Sequence, residues 1–227
     1  MKTTPTLLQK PLHSSVRIST AGAQLDGEID LPVKAASVVV FAHGSGSSRH
    51  SPRNQFVAKV IRSAGMGTLL LDLLTEDEER QDALTGALRF DIGLLANRLI
   101  GITRWLEDHP QTRGLKVGLF GASTGGGAAL VAAAEAGDRI AAVVSRGGRP
   151  DLAGDALSEV RSPTLLIVGG YDQLVIELNE QAFAKLRCEK ELSIVAGATH
   201  LFEEPGALDE VARLSTAWFT KHMGENS

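Results

Sequence analysis

Ser123 sits at the centre of Gly121-Ala122-Ser123-Thr124-Gly125, a glycine-flanked serine of the kind that a tight strand-to-helix turn lifts out of the backbone. A serine hydroxyl is a weak nucleophile at neutral pH. It needs a base to take its proton and an acid to orient that base. Asp172 and then His200 follow downstream, in the order Ser, Asp, His. Together they could attack an acyl carbonyl, hold a covalent acyl intermediate and release it to water.

The elements around these residues decide whether they can meet. Leu115 to Phe120 is an apolar, strand-like run, and Gly126 to Ala136 is a run of small residues that reads as a helix. The serine therefore falls between a strand and a helix, and the glycines permit a turn that side chains would block. Pro163 to Val168 reads as a buried strand followed at once by Asp172, and Leu192 to Ala196 as a strand followed by the loop that holds His200. In an open parallel sheet the C-terminal strand ends share one edge, where ligands bind. Ser123, Asp172 and His200 are thus expected on one rim.

The remaining segments supply that sheet. Ser15 to Ser19 and Gln24 to Leu31 read as an antiparallel hairpin turning at Gly22, and Ser37 to Ala42 as a valine-rich buried strand. Further strands are expected at 68–73 and 140–145, with helices at 54–64, 91–107, 174–186 and 207–219. This alternation implies βαβ units and a parallel sheet, an α/β fold. Leu95, Leu99, Ile102 and Leu106 recur at helical spacing and form the face turned to the sheet. Arg146 to Arg161 leaves room for one short helix around 151–160 and no larger cap, so the site should be open and suit small or medium soluble esters.

With His43-Gly44-Ser45-Gly46 after the first central strand, the serine turn, and the Asp172 and His200 loops, the chain resembles the α/β-hydrolase superfamily. Within it, the chain is similar to the small dienelactone-hydrolase-like proteins that have little or no cap. The likeness runs from Val38 to Phe219. It implies a mostly parallel central sheet of about seven or eight strands with helices on both faces, as one domain over 1–227 with an N-terminal extension at 1–14. It also implies an oxyanion hole made by the amide of Thr124 and a second amide, that of Ser45 with Gly44 or Gly46 as alternatives. His43 is expected to anchor that loop. One departure matters: dienelactone hydrolases proper use a cysteine nucleophile, whereas this turn carries serine, so the lactone substrate does not carry over.

Arg49, Arg53, Arg146 and Arg149 lie on loops expected to open toward the same rim. Guanidinium forks bind carboxylate or phosphate oxygens in pairs. At least one is expected to bind an acidic substrate, as in dienelactone-like enzymes; for each, the alternative is a solvated or salt-bridged surface residue. Glu76 to Glu79 reads as an acidic turn that starts a helix. Gly125 to Gly127 read as close helix–strand packing, since no phosphate-loop pattern accompanies them.

Composition narrows the rest. The 227 residues are 43% hydrophobic and 22% charged with a net charge of −4, an ordinary balance for a single globular domain. No long basic tract points to nucleic acid. No apolar run approaches the roughly 20 residues that cross a bilayer, and Met1 to Leu8 lacks a signal-peptide core. The single cysteine, Cys188, fits a reducing compartment, the cytoplasm by expectation. The sequence thus reads as a serine esterase acting on a small-molecule ester through an acyl-enzyme, without metal or organic cofactor. Acyl transfer, thioester cleavage and peptide cleavage by the same residues remain alternatives, as does a binding protein that keeps the fold without catalysis; the oligomeric state is open.

Overall fold

Residues 10–224 are described by a computed structural model of the chain. Alternating residues form Leu12–Thr20 (β1) and Ala23–Leu31 (β2), which pair antiparallel from Leu12 opposite Leu31 to Thr20 opposite Ala23. Ala21 and Gly22 both have positive φ (46° and 76°), the geometry of a two-residue hairpin turn. β1 starts earlier than the sequence suggests, so 12–14 belong to the sheet and not to an N-terminal extension. The rest of that expected extension, up to residue 9, lies outside the described residues.

Ser37–Ala42 (β3) follows, with all six residues buried, as a strand covered on both faces requires. Then come Pro52–Ser63 (α1), Gly67–Leu71 (β4), Glu76–Thr85 (α2), Ile92–Asp108 (α3), Lys116–Ala122 (β5) and Thr124–Ala136 (α4). Ile140–Arg146 (β6), Thr164–Gly169 (β7), Gln173–Lys185 (α5), Lys190–Val195 (β8) and Ala207–Met223 (α6) complete the order. The strands form one sheet, β1-β2-β4-β3-β5-β6-β7-β8, antiparallel over β1, β2 and β4 and parallel from β4 to β8.

Two apolar layers hold the helices to this sheet. On one face Leu95, Leu99, Ile102 and Leu106 of α3 pack with Ala129 and Leu130 of α4 against Val38, Val40 and Leu119. On the other, Val57 and Ile61 of α1 and Val211 and Phe219 of α6 pack against Val39, Phe41 and Phe120. Each of the larger of these side chains contributes about 1.5–3 kcal/mol by leaving water, so the sheet is a rigid platform for the loops at its edge. Between β6 and β7 the expected short helix is a 3-10 segment, Pro150–Glu159, broken at Gly154 where φ is 54°. Among the described residues no helix is long and apolar enough to cross a membrane.

α2 differs from the other helices. The capping box of Thr75 and Glu78 starts it and the left-handed Gly86 ends it, yet Asp82 is its only buried residue. Polar ties hold it instead. Arg98 of α3, itself 1% exposed, reaches Glu78 Oε1 at 2.5 Å, and Arg89 reaches Asp82 Oδ2 at 2.5 Å.

Candidate active site

β5 delivers Ser123 into a backbone conformation that L residues avoid, φ 51° and ψ −121°, directly before α4. Strain of this kind costs about 1–3 kcal/mol and persists only where the surroundings impose it. The surroundings here are close. A Cβ on Gly121 would lie 2.4 Å from the Gly125 carbonyl oxygen, and one on Gly125 would lie 2.2 Å from that of Ala42. The end of β6 and the loop after it pin the turn from the other side: Ser123 N–H donates to Arg146 O at 3.2 Å, and Arg149 N–H donates to Ser123 O at 3.0 Å.

Asp172 is the residue that leads from the loop after β7 into α5, and His200 lies on the loop after β8. Their loops are laced together, since Tyr171 N–H donates to Ala198 O and Gly170 N–H to Val195 O, at 2.9 and 2.8 Å. Gly169 allows this approach; its Cβ would meet the Thr199 and Ala198 carbonyl oxygens at 2.5 and 2.6 Å. As a result His200 Nδ1 lies 2.6 Å from Asp172 Oδ2. A proton on Nδ1 fits that contact and leaves Nε2 free to accept one. Ser123 and His200 wall one cavity of about 260 Å³. Among the described residues no hydrogen bond joins the Ser123 hydroxyl to His200, a looseness common in unliganded hydrolase sites.

The loop after β3 lies against the serine turn. His43 anchors it: Leu73 N–H donates to Nε2 at 2.9 Å, which places the ring proton on Nδ1 for the 2.9 Å bond to Gly44 O. A Cβ on Gly44 would be 3.0 Å from Ser123 Cβ, so this glycine brings the loop up to the nucleophile position. Ser45 N–H donates to Thr124 Oγ1 at 3.0 Å. In this state the Ser45 amide is therefore held by a protein hydroxyl. The Thr124 amide belongs to the first turn of α4, whose N–H groups have no acceptor within the helix.

The four arginines divide. Arg49 bonds Asp72 through both its side chain and its amide, and Arg149 holds Asp151 in a fork at 2.8 and 2.7 Å, which raises its pKa above the usual guanidinium range. Neither lines the cavity, which corrects their placement as substrate contacts: each has its own carboxylate nearby. Arg53 and Arg146 do line it. Arg53 is tied to Glu203 at 2.9 Å.

Arg146 is 7% exposed and, among the described residues, has no carboxylate partner. Its Nη2 has a long 3.5 Å contact to Asn54 Oδ1, its guanidinium lies 5.8 Å from the Phe202 ring centre, and its Nε is buried without a partner. Burial, with the repulsion of Arg53 added, pushes its pKa down to about 10. At neutral pH it is a buried cation that lacks an anion. Asn54 escaped sequence reading. Its one signal is an asparagine among the buried positions Val57, Ala58 and Ile61 of α1.

Comparison with known proteins agrees with this architecture. The profile of the dienelactone hydrolase family matches residues 26–221. A crystal structure of a dienelactone hydrolase from Anabaena variabilis is 57% identical, covers 95% of this chain and 100% of its own, and superposes with a TM-score of 0.92. The esterase Est1E from Butyrivibrio proteoclasticus shares the fold at 15% identity, with 93% of this chain and 99% of its own covered and a TM-score of 0.78. A Mycobacterium tuberculosis protein provisionally named a phosphoribosyl transferase is 56% identical over 208 residues, which are 92% of this chain and 46% of that protein. The chain thus spans about half the length of the curated relatives it matches. With an eight-stranded, mostly parallel sheet that carries serine, aspartate and histidine at its strand ends, the chain belongs to the dienelactone hydrolase family of the α/β-hydrolase fold.

Proposed function

We infer that this hydrolase cleaves carboxylic esters that carry a negative charge, through an acyl-enzyme on Ser123. One observation carries the reading: the strained serine, the aspartate-bound histidine and an uncompensated buried arginine all face one cavity. His200 Nε2 takes the Ser123 proton as Oγ adds to the ester carbonyl. The tetrahedral oxyanion collects on the Thr124 amide and on the Ser45 amide, whose N–H is shared between the oxyanion and Thr124 Oγ1. Each such donor lowers the barrier by about 3–4 kcal/mol. The imidazolium, steadied by Asp172, returns the proton to the departing alcohol oxygen. Water then attacks the acyl carbonyl with His200 as base and frees the acid.

The anion is read from Arg146. Burying an unpaired charge is expensive, and a ligand that supplies the counter-charge recovers that cost on binding. Arg53, at the same cavity, already has Glu203 as its counter-charge, so the anion falls to Arg146.

The name of the mycobacterial relatives fits the half of their length that this chain does not share, since the dienelactone hydrolase profile matches residues 26–221 here. Acyl transfer, thioester and peptide cleavage would use the same groups, and competing alcohol and thiol acceptors separate them by product.

The test is a set of size-matched esters, neutral, carboxylated and phosphorylated, assayed with wild type, Ser123→Ala and Arg146→Met. Hydrolysis that vanishes in Ser123→Ala is expected. So is a preference for charged esters of about tenfold or more that vanishes in Arg146→Met. Equal rates for all esters in wild type would remove the anion, and failure of a fluorophosphonate to label Ser123 would remove the nucleophile.

A further inference from the structure

The loop of residues 43–46 is also a wall of a second cavity, of about 160 Å³, which meets the first at Gly44 and Ser45. Leu73, Leu74 and Leu95 supply its apolar lining, Thr124 reaches it, and α2 roofs it through Ala83. Among the described residues it offers no free cation. Arg89 at its edge is committed to Asp82, by Nε at 2.5 Å and by Nη2 to the Asp82 carbonyl at 3.1 Å, while Glu79 would repel an anion. An uncharged apolar group fits this lining. The volume sets its size, since a cavity of about 150 Å³ lined by aliphatic side chains accepts benzene.

We propose that this chamber receives the acyl side of the ester, a group about the size of a phenyl ring or a chain of about six carbons. Position argues for acyl over alcohol. The alcohol must leave beside His200, its proton donor, and His200 lines the first cavity. The carbonyl oxygen is held between the Thr124 and Ser45 amides, so the remaining substituent points past Ser45 into the second. The substrate therefore has an apolar acyl end and, at the Arg146 side, an anionic end. The acyl assignment rests on the esterase reading above; the existence of an apolar binding chamber does not.

Two experiments separate these. The first compares p-nitrophenyl acetate with p-nitrophenyl phenylacetate in wild type, Ala83→Trp and Ala83→Ser. Ala83 is exposed at the roof of a helix that buries only Asp82, so the tryptophan can fill the chamber without disturbing the core. Wild type and Ala83→Ser should favour phenylacetate by about tenfold or more in kcat/KM. Ala83→Trp should lose that preference, its phenylacetate kcat/KM falling to the level of its own acetate kcat/KM.

The second is a crystal soak with bromobenzene, which needs no catalysis and no variant. A bromine signal among Leu73, Leu74 and Leu95 is expected. No signal there overturns the chamber. A signal with equal acyl preference in wild type and Ala83→Trp overturns its role in the substrate. A signal in a protein that hydrolyses neither ester and resists fluorophosphonate overturns the esterase reading and leaves the apolar site standing.

Discussion

The Ser45 amide and the Thr124 hydroxyl are joined by a 3.0 Å hydrogen bond that spans from the loop after β3 to the first residue of α4. It ties the two donors of the proposed oxyanion hole into one unit. Thr124→Val leaves the Ser45 amide without its partner, so stability should fall by about 1–3 kcal/mol in urea unfolding. The loop should also lose its register with the turn, with kcat down by about tenfold and KM little changed. Thr124→Ser keeps the hydroxyl and should behave like wild type. Equal kcat in all three would mean that the bond has no part in placing the donors.

Asp172 acts through His200, whose Nδ1 it holds at 2.6 Å. Asp172→Asn keeps the shape but offers a donor as readily as an acceptor, which favours the wrong imidazole tautomer. A fall in kcat of about 10⁴ is expected, with fluorophosphonate labelling of Ser123 slowed in parallel. A loss below tenfold would show that another group orients the histidine.

Gly169 should be intolerant of even one methyl group. Its Cβ would press on two carbonyl oxygens of the loop before His200. Gly169→Ala should push the acid and base loops apart and cut kcat by about 10² through misplacement alone. A crystal structure of the variant should show the contact between Asp172 and His200 lengthened. An unchanged distance together with unchanged kcat would remove glycine's role there.

Arg146 sets function against stability. It is a buried cation with one long polar contact and an orphan Nε. Arg146→Met fills similar space without the charge, so the variant should be more stable by about 0.5–2 kcal/mol in chemical denaturation, while it loses anionic esters. A destabilised variant would show that the cation is structurally compensated.

The roof helix α2 should be the acid-sensitive part of the molecule. Burial pushes the Glu78 carboxyl upward, but the bonds from Arg98 and Thr75 outweigh it and hold its pKa below the ordinary value of 4.5. Asp82 behaves alike: burial pushes it up, while the Arg89 side chain and the Leu88 and Arg89 amides win and hold it below its ordinary 3.8. Carboxyls lowered on folding stabilise the native state above their unfolded pKa values, and that stability is lost as pH falls through the lowered ones. Below about pH 4.5 hydrogen exchange should therefore rise across 76–85 before it rises in α3 or α4. Simultaneous opening of all three helices would contradict this.

Much of this was legible in the residues because one requirement governed each stretch. β5, β7 and β8 announce themselves by apolar runs ending in small residues, and strand ends alone bring Ser123, Asp172 and His200 to one rim. The four face residues of α3 are all buried as their spacing requires. Charge pairing was not legible. All four arginines read alike in sequence, and only the folded chain shows Arg53 in the first turn of α1 and Arg146 at the end of β6, with Asp72, Asp151 and Glu203 paired to Arg49, Arg149 and Arg53. The Thr124 hydroxyl and Asn54 were equally silent, because their roles depend on neighbours 79 and 92 residues away. The bounds of β1 slipped for a smaller reason: His13 and Ser14 near its start are polar, so Leu12, half-buried at the edge of the core, is the one apolar signal there.

The segment from Arg146 to Arg149 bonds the backbone of Ser123 on both sides, while the Arg146 side chain faces the substrate cavity. Nucleophile posture and charge preference are thus properties of a single short peptide. Over evolutionary time they would be inherited as a block. A lineage that turned from anionic to neutral esters would have to exchange the Arg146 side chain while keeping the main-chain course of its loop, so divergence in this family should show side-chain replacement at that position far more often than insertion beside it.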